Sequence, residues 1–488
     1  MTTSSTVAAG ATGMDTVRAI HAGELRAEDA LAACIDRITA TEPRINAFTD
    51  ATFARAMREA QAIDAMRARG GSLPPLAGLP YALKNLFDIE GLTTRAGSKL
   101  RNGEPAATAD AVLVQRLRAA GAVLVGALNM DEFAYGFTTE NSHYGACHNP
   151  HDLTRTAGGS SGGCGAAVAA GQVPLTLGSD TNGSIRVPSS LCGVFGLKPT
   201  FGRLSRRGSF PFVASIDHLG PFARSVEDLA ACYDAMQGAD ALDPGCHATR
   251  VQPTLPRLQR GADGLRIGAL GGYFDEHAGP AARAALNMAA AALNATRGVA
   301  WPDAALARSA AFVTSASEGG ALHLASLRTR AAEYEPLSVD RFIAGALQPA
   351  EWYVRAQRFR RVYRDKVLAL FRHWDVLLAP ATPVQATPLG AEQFELNGVM
   401  VPARPSMGLL TQPISFAGCP VVAVPLWPQG HGARPGLPGR TGLPGLPGLP
   451  GLPIGVQVIA APWREDLALR VAQALESAGI AVAPVAVL

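Results

Sequence analysis

Apolar side chains recur at helical spacing in two segments near the start of the chain, residues 29–39 and 51–69. The first pattern ends before Pro43, and the second ends at the glycine pair 70–71. Proline lacks the N–H that a helix needs, and paired glycines are common helix stops. We therefore predict two amphipathic helices that form an N-terminal helical layer.

Short apolar runs alternate with helical patterns from residue 79 onwards. The predicted strands are 79–83, 122–127, 174–177, 265–270, 375–379, 421–424 and 454–459, and the predicted helices are 109–120, 281–293 and 467–478. Such alternation is typical of α/β proteins. Because no linker divides the chain, we expect a flexible segment over residues 1–13 and one large domain over residues 14–488, with a mixed β-sheet flanked by helices.

Glycine recurs at every third position from residue 436 to 453, mostly as Gly-Leu-Pro. The tract is too short for a collagen triple helix, and it lies between two apolar runs that resemble neighbouring strands. It therefore predicts a solvent-exposed loop insertion without chemistry of its own.

The charges are nearly balanced, with 43 lysines and arginines against 40 aspartates and glutamates. This balance does not favour nucleic-acid or membrane binding, and no apolar run reaches the length of a membrane-spanning helix. The seven cysteines are scattered singly, and the first residues lack a signal-peptide pattern. We expect reduced thiols and a cytoplasmic protein that acts on a small molecule.

Two turns rich in glycine each present a serine. Ser160 lies within Gly-Gly-Ser-Ser-Gly-Gly at 158–163, and Ser184 lies within Asp-Thr-Asn-Gly-Ser-Ile-Arg at 180–186. Glycine lets a substrate carbonyl approach backbone N–H groups closely, as an oxyanion hole requires. The pattern therefore indicates nucleophilic catalysis by a serine.

A serine that attacks an amide needs a base to take its proton. His143, His148 and His151 share one loop, but their spacing matches no metal motif and predicts ordinary polar contacts. Lys84 follows an apolar run, so we expect it at the end of a buried strand. Burial would lower its pKa towards the range in which a lysine acts as a base.

The sequence Ala-Leu-Lys-Asn around Lys84, the Ser160-Ser161 pair and Gly-Ser-Ile-Arg at 183–186 together resemble the amidase-signature family. The resemblance implies an amidase domain over residues 14–488. It also implies that Ser184 is the nucleophile, that Lys84 is the base, and that Ser160, on a cis peptide bond, relays the proton between them. No metal or organic cofactor is implied.

The same resemblance assigns an oxyanion hole to four backbone N–H groups, those of Thr181, Asn182, Gly183 and Ser184. Asn182 stands where most relatives carry glycine; asparagine tolerates positive φ, and its side-chain amide has the length to reach substrate. Cys164 replaces a common serine and is interpreted as a small packing residue. For Asp180 and Arg186 we favour a local salt bridge over contact with substrate.

Residues 129–136 and 179–184 are similar to the branch of the family that hydrolyses 1-carboxybiuret. This similarity implies a small anionic ureide as substrate, release of ammonia through an acyl-enzyme, and a small accessory subunit in a hetero-oligomer. Two alternatives within catalysis are hydrolysis of oxalurate and a glutamine-hydrolysing subunit of a tRNA amidotransferase. A non-catalytic interaction protein is a third, disfavoured because the lysine and both serines are present.

A substrate carboxylate needs a positive or N–H-rich site. His323, or an arginine between 355 and 361, is the predicted donor; the alternative for His323 is a surface histidine at the start of a helix. Six basic residues lie between 355 and 366, and their spread around a helix predicts a solvated face with one or two pointing inward.

Overall fold

The strands of the computed structural model gather mainly in one central sheet, and the residues that the structure describes are 11–428 and 451–488. These residues form the following strands: β1 (Phe48–Ala51), β2 (Pro80–Lys84), β3 (Val123–Leu128), β4 (Glu140–Asn141), β5 (Gly145–Ala146), β6 (His148–Asn149), β7 (Asp152–Thr156), β8 (Leu175–Asp180), β9 (Phe195–Lys198), β10 (His218–Ala223), β11 (Ile267–Leu270), β12 (Thr296–Val299), β13 (Val376–Pro380), β14 (Gln393–Leu396), β15 (Val399–Pro402), β16 (Val421–Leu426) and β17 (Ile454–Ala460).

Helices flank the sheet and are joined to its strands by loops. Their bounds are α1 (Gly13–Ala22), α2 (Ala27–Ile45), α3 (Phe53–Ala68), α4 (Val112–Ala119), α5 (Gly162–Ala169), α6 (Arg186–Cys192), α7 (Val226–Met236), α8 (Tyr273–Glu276), α9 (Pro280–Ala292), α10 (Ala304–Arg330), α11 (Val339–Ala346), α12 (Ala350–Leu370), α13 (Ala403–Ser406), α14 (Gln412–Ala417) and α15 (Glu465–Ser477).

The central sheet has eleven strands in the order β1-β3-β2-β8-β10-β9-β16-β17-β13-β11-β12. Strand β2 runs parallel to β3 and β8, whereas β10 runs antiparallel to both β8 and β9. The sheet is therefore mixed and flanked by helices in one large α/β domain, as the sequence predicted. Because β2 and β8 are parallel, their carboxyl ends, Lys84 and Asp180, lie at the same edge of the sheet.

The predicted end of the first helix is wrong. Helix α2 continues through Pro43 to Ile45 and ends where Asn46 adopts a left-handed conformation, with its N–H bonded to the Glu42 carbonyl. Pro43 lies in the last turn of the helix, so its missing N–H removes only one hydrogen bond near the end. The second predicted helix corresponds to α3.

Helix α1 was not predicted. Thr12 caps it by accepting a hydrogen bond from the Asp15 N–H, and the Asp228 carboxylate accepts from the N–H groups of Gly13 and Met14 at 2.9 and 2.8 Å. These contacts fasten the start of the described chain to α7. Residues 1–10 of the predicted flexible segment lie outside the described residues.

Strands β16 and β17 are antiparallel neighbours in full register from Val421–Ile459 to Leu426–Ile454. The expectation that the Gly-Leu-Pro tract lies between neighbouring strands is therefore confirmed. Of the tract itself, residues 436–450 lie outside the described residues. None of the helices in the described ranges has the length and apolar character needed to cross a membrane.

Candidate active site

Lys84 is the last residue of β2, and its side chain has no exposure to solvent. Its Nζ donates to Ser160 Oγ at 2.7 Å and to Ser179 Oγ at 2.9 Å. Parallel pairing of Leu83 with Leu177 places Lys84 beside the end of β8, where Ser179 lies. Burial lowers the pKa of Lys84 to about 8, although the nearby Asp131 carboxylate opposes the shift. The neutral form is therefore a minority near pH 7 and becomes the main form above about pH 8.

Ser160 precedes α5 and is fully buried, and the peptide bond from Gly159 to Ser160 is cis. The Ser160 carbonyl accepts from the Asp131 N–H at 3.1 Å, and Ser161 Oγ donates to the Ser179 carbonyl at 3.1 Å. A Cβ added at Gly159 would lie 2.1 Å from Asp131 Oδ2, so only glycine fits there. The neighbouring backbone thus fixes the position of the Ser160 hydroxyl beside Lys84.

Ser184 lies in the loop between β8 and α6 and is only 3% exposed. Among the described residues, its hydroxyl has no hydrogen-bond partner, so Ser160 and Ser184 are not directly bonded. The backbone N–H groups of Asn182, Gly183 and Ser184 likewise have no acceptor within the described ranges. Buried N–H groups are normally paired. This loop therefore holds a set of free donors next to a free hydroxyl.

A buried ion pair holds the Ser184 loop in shape. Arg186 Nη2 lies 2.9 Å from Asp180 Oδ1, and both side chains are fully buried. Asp180 Oδ2 also accepts from the Ile185 N–H at 3.1 Å, and Thr411 Oγ1 donates to the Asn182 carbonyl at 2.6 Å. The predicted local salt bridge is confirmed, and its carboxylate fastens the two ends of the loop together.

Positive φ occurs at Gly183, at 140°, and not at Asn182. The expectation that Asn182 serves through its tolerance of positive φ is therefore wrong. Its Nδ2 instead donates to Ser315 Oγ of α10 at 2.7 Å. Cys164 is a fully buried packing residue whose thiol donates to the Leu177 carbonyl, as predicted.

Two residues that the sequence analysis did not assign complete the surroundings. Ser179 accepts from Lys84, and Asp217 accepts from Thr181 Oγ1 at 2.5 Å and from the N–H groups of Phe212 and Val213. Ser179 belongs to the glycine-rich run around Ser184, and this position was the sequence signal that could have identified it. Asp217 lies outside every motif, so only the fold brings it to Thr181.

A cavity of about 240 Å³ opens beside these groups. Ser179, Thr181 and Asp217 line it together with the rings of Phe210 and Phe212. Its size suits a small molecule, and charged side chains, among them Arg206 and Asp243, line it as well.

His323 lies well inside α10, which begins at Ala304, and is only 5% exposed. The alternative of a surface histidine at a helix start is therefore wrong. The ring packs against Phe133 and Phe342 with centroid distances of 4.1 and 4.7 Å. Burial lowers the pKa of His323 to about 4, so the ring is neutral near neutral pH.

Only one ring nitrogen of His323 has a partner in the described part of the chain. Its Nδ1 lies 3.3 Å from the Tyr334 hydroxyl oxygen, which also contacts Ser326 Oγ. Its Nε2 is buried without a partner. The role of His323 in binding a carboxylate stays a prediction.

Of the six basic residues between 355 and 366, Arg360 alone is buried. Its Nε donates to the Phe416 carbonyl at 3.0 Å and its Nη1 to the Ser215 carbonyl at 2.8 Å. The prediction of a solvated face with one or two residues inward is confirmed. These two nitrogens of Arg360 are therefore bonded to backbone oxygens and are not available to a substrate carboxylate.

Arg404 was not predicted, yet it carries buried N–H groups without partners. Its Nη2 donates to Asp131 Oδ1 at 3.0 Å, whereas Nε and Nη1 have no partner in the described part of the chain. Arg341 lies nearby, 4.4 Å above the ring of Tyr135, and burial together with the charge of Arg404 lowers its pKa. The Tyr135 hydroxyl is also buried and unpartnered. Arg404 thus forms an ion pair with Asp131, and a second cation lies near it.

The three loop histidines make polar contacts, as predicted: His143 bonds to Glu132, His148 to the Leu153 carbonyl and His151 to the Cys192 carbonyl. Within residues 11–428 and 451–488, no group of three or more histidine, cysteine or acidic side chains is placed to hold a metal.

Residues 29–469 match the Amidase family. The chain belongs to this family. The amidase is therefore a hydrolase that acts on carbon–nitrogen bonds. The match extends across both serine turns and Lys84, and across the strands that position them.

Two relatives span nearly the whole amidase. AtzE, the 1-carboxybiuret hydrolase subunit of Pseudomonas sp. (strain ADP), is 64% identical over 468 residues, which cover 96% of this chain and 98% of that protein. A glutamyl-tRNA(Gln) amidotransferase subunit from Moorella thermoacetica is 35% identical over 481 residues, which cover 93% of each.

A solved structure of a vestigial protein complex, concerning the origins of an s-triazine catabolic enzyme, also resembles the amidase. The two chains superpose with a TM-score of 0.91 at 64% sequence identity, over 97% of this chain and 99% of that one. The similarity in fold is thus as extensive as the similarity in sequence.

Proposed function

We propose that this amidase hydrolyses a terminal carboxamide of 1-carboxybiuret, a small anionic ureide, and releases ammonia. The observation that carries the proposal is the 64% identity to the 1-carboxybiuret hydrolase subunit over 96% of the chain. The cavity of about 240 Å³ beside Lys84 and the Ser184 loop is consistent with a substrate of this size.

In the proposed mechanism, neutral Lys84 takes a proton through Ser160 as the Ser184 hydroxyl attacks the amide carbonyl. The 2.7 Å hydrogen bond between Lys84 and Ser160 supports the first part of this relay. Ser184 completes it when the substrate is bound, since catalytic hydrogen bonds are often long in the free enzyme. The relay returns the proton to the departing ammonia, and water then repeats the sequence on the acyl-enzyme.

We assign the oxyanion hole to the backbone N–H groups of the Ser184 loop. The developing negative charge on the carbonyl oxygen needs donors that are already oriented. The N–H groups of residues 181–184 are the proposed donors, and the lack of internal partners for those of 182–184 supports the assignment.

The substrate carboxylate is proposed to bind Arg404. Its Nε and Nη1 point to different sides of the guanidinium, and each offers a carboxylate oxygen one charge-assisted hydrogen bond. Asp131 accepts from Nη2 at 3.0 Å, and the Asp131 N–H also bonds to the Ser160 carbonyl. Arg404 is therefore connected to the relay through a single residue. Nearby Arg341 adds a second positive charge that an anion would offset.

A small accessory subunit is also proposed. The structural relative belongs to a protein complex. The segment from α10 to α12 exposes large apolar side chains, among them Leu322, Leu347 and Trp352, which are 45%, 78% and 51% exposed. We further propose a cytoplasmic location, which the seven free cysteines favour.

The test is ammonia release from a substrate panel by the purified chain, alone and co-expressed with its genomic neighbours. The panel contains 1-carboxybiuret, oxalurate, biuret, glutamine and a simple aliphatic amide. We expect 1-carboxybiuret to give the highest kcat/KM. Preference for glutamine would instead support the amidotransferase function of the relatives that are 35% identical. Equal turnover of the aliphatic amide would contradict a ureide substrate and leave the serine mechanism intact.

A further inference from the structure

The side-chain amide of Asn182 has a defined orientation. Ser315 Oγ donates its single proton to the Ala311 carbonyl, 2.8 Å away. It can therefore only accept in its contact with Asn182, and the group that donates to it across 2.7 Å must be Nδ2. The two contacts together favour the orientation in which Nδ2 faces Ser315 and Oδ1 faces away.

This orientation leaves Asn182 Oδ1 pointing away from Ser315. The residue is 7% exposed, and Oδ1 is buried without a partner in the part of the chain that the structure describes. A buried acceptor that stays unpaired costs about 1–3 kcal/mol. Its neighbours along the chain are the free N–H groups of Gly183 and Ser184. The unpartnered oxygen is thus carried by the same loop that holds the Ser184 hydroxyl.

The two kinds of free group in this loop are complementary to one ligand. The backbone N–H groups offer donors to a carbonyl oxygen, and Asn182 Oδ1 offers an acceptor to an adjacent N–H. A ureide carries both, because its cleavable carbonyl is bonded to a second nitrogen that bears a hydrogen. An ordinary amide has carbon at that position and leaves Oδ1 unpaired.

We infer that Asn182 Oδ1 accepts a hydrogen bond from the N–H next to the cleavable carbonyl, and that Asn182 thereby selects ureides over amides. Ser315 is a positioning residue that holds the amide in the required orientation. The inference rests on the proposed function, since it names the chemical group that the same site recognises. It assigns to Asn182 a role separate from that of its backbone N–H.

The test uses two pairs of compounds that differ only by NH against CH₂ beside the carboxamide. Ureidoacetate is paired with succinamate, and biuret with malonamide. For each pair, kcat/KM for ammonia release is measured with wild type and with Asn182→Ala, Asn182→Asp and Ser315→Ala. Where turnover is too slow, inhibition constants against the best panel substrate give the same comparison.

We expect wild type to prefer the ureide of each pair, and Asn182→Ala to reduce that preference by about 10- to 100-fold. Turnover of the amides should fall by a smaller factor than turnover of the ureides, since the amides make no bond to Oδ1 and any change in the loop affects both members of a pair. Asn182→Asp should retain the preference because it keeps an acceptor, and Ser315→Ala should lose part of it.

Equal losses for both members of a pair in Asn182→Ala would overturn the inference and show a role in loop structure only. Absence of a ureide preference in wild type would also overturn it. Failure of the proposed function would look different. Wild type would then fail to hydrolyse 1-carboxybiuret, whereas the ratio of the kcat/KM values within each pair would still report on Asn182. Melting temperatures of the variants separate loss of fold from loss of selectivity.

Discussion

Lys84 Nζ lies 2.7 Å from Ser160 Oγ, and neither side chain is exposed to solvent. A protonated lysine is costly in such a site, so burial favours its neutral form. The carboxylates of Asp131, Asp180 and Asp217 partly offset this effect, and the pKa stays at about 8 rather than falling further. Lys84 can thus act as a base on the Ser160 hydroxyl, with which it is in hydrogen-bond contact.

Activity should rise with pH through the pKa of Lys84. The base form is neutral, so kcat/KM should increase as pH rises towards about 8 and level off above it. Lys84→Arg should be inactive, because a guanidinium stays protonated. The measurement is kcat/KM against pH between about 6 and 10, with folding checked at each pH; a flat profile would contradict the assignment.

Lys198 provides the control for this profile. It is also fully buried, burial lowers its pKa to about 7, and its Nζ donates to the carbonyls of Pro199 and Cys419. Because it contacts none of the proposed catalytic groups, Lys198→Met should leave the midpoint of the profile unchanged.

Ser184→Ala should abolish hydrolysis while the protein stays folded, because the ion pair and the Thr411 contact hold the loop without the hydroxyl. Ser160→Ala and Lys84→Ala should have nearly the same effect. Residual turnover above about one hundredth of wild type would contradict the triad, since removing a member of a catalytic unit normally lowers turnover by a much larger factor. Ser309→Ala, on the exposed side of α10, is the matched control.

Removing one partner of the buried pair between Asp180 and Arg186 should destabilise the protein strongly. Arg186→Met or Asp180→Asn leaves an uncompensated buried charge or a set of unpaired polar groups, with a loss of about 3–5 kcal/mol in the free energy of unfolding. Denaturant titration measures it. The double variant should lose less than the sum of the two. Arg355→Met, which breaks an exposed pair with Glu351, should have no measurable effect.

The sequence allowed the strands that carry the site to be predicted, because each is a short apolar run between turn residues. Strand β2 was expected over 79–83 and occupies Pro80–Lys84, which placed Lys84 correctly at a buried strand end. The salt bridge of Asp180 and Arg186 could also be predicted, since the opposite charges stand six positions apart around a tight turn.

The groups proposed to recognise substrate could not be predicted in the same way. Arg404 is 273 residues from Asp131, and Ser315 is 133 residues from Asn182, so neither contact leaves a local pattern. The surroundings of His323 were missed for a related reason: its aromatic neighbours come from distant segments, and burial among them cannot be read from its own helix.

Replacing residues 436–450 with a short Gly-Ser linker should change neither turnover nor melting temperature appreciably. We propose that this tract is a surface loop between β16 and β17, and loop length costs only about 0.6 kcal/mol per doubling. Leu452 should be kept, because it is buried and its carbonyl accepts from Gln385. A large loss of activity would show that the tract contacts the accessory subunit or covers the active site.

Arg404→Gln should lower kcat/KM for 1-carboxybiuret much more than for neutral biuret. A carboxylate that binds Nε or Nη1 would lose both its charge partner and a charge-assisted hydrogen bond, and a site built for a polar group discriminates by up to about 10⁴. Neutral biuret makes no such contact, so its turnover should change little. The measurement is the ratio of the two kcat/KM values in wild type and variant.

Arg361→Gln, on the exposed side of α12, is the control and also tests the expectation that an arginine between 355 and 361 binds the carboxylate. Since Arg404 also holds Asp131, Arg404→Lys keeps a charge near that carboxylate while removing the unpartnered guanidinium N–H groups. If Arg404→Lys and Arg404→Gln reduce both substrates equally, the residue supports the Ser160 turn through Asp131 and does not bind the substrate carboxylate.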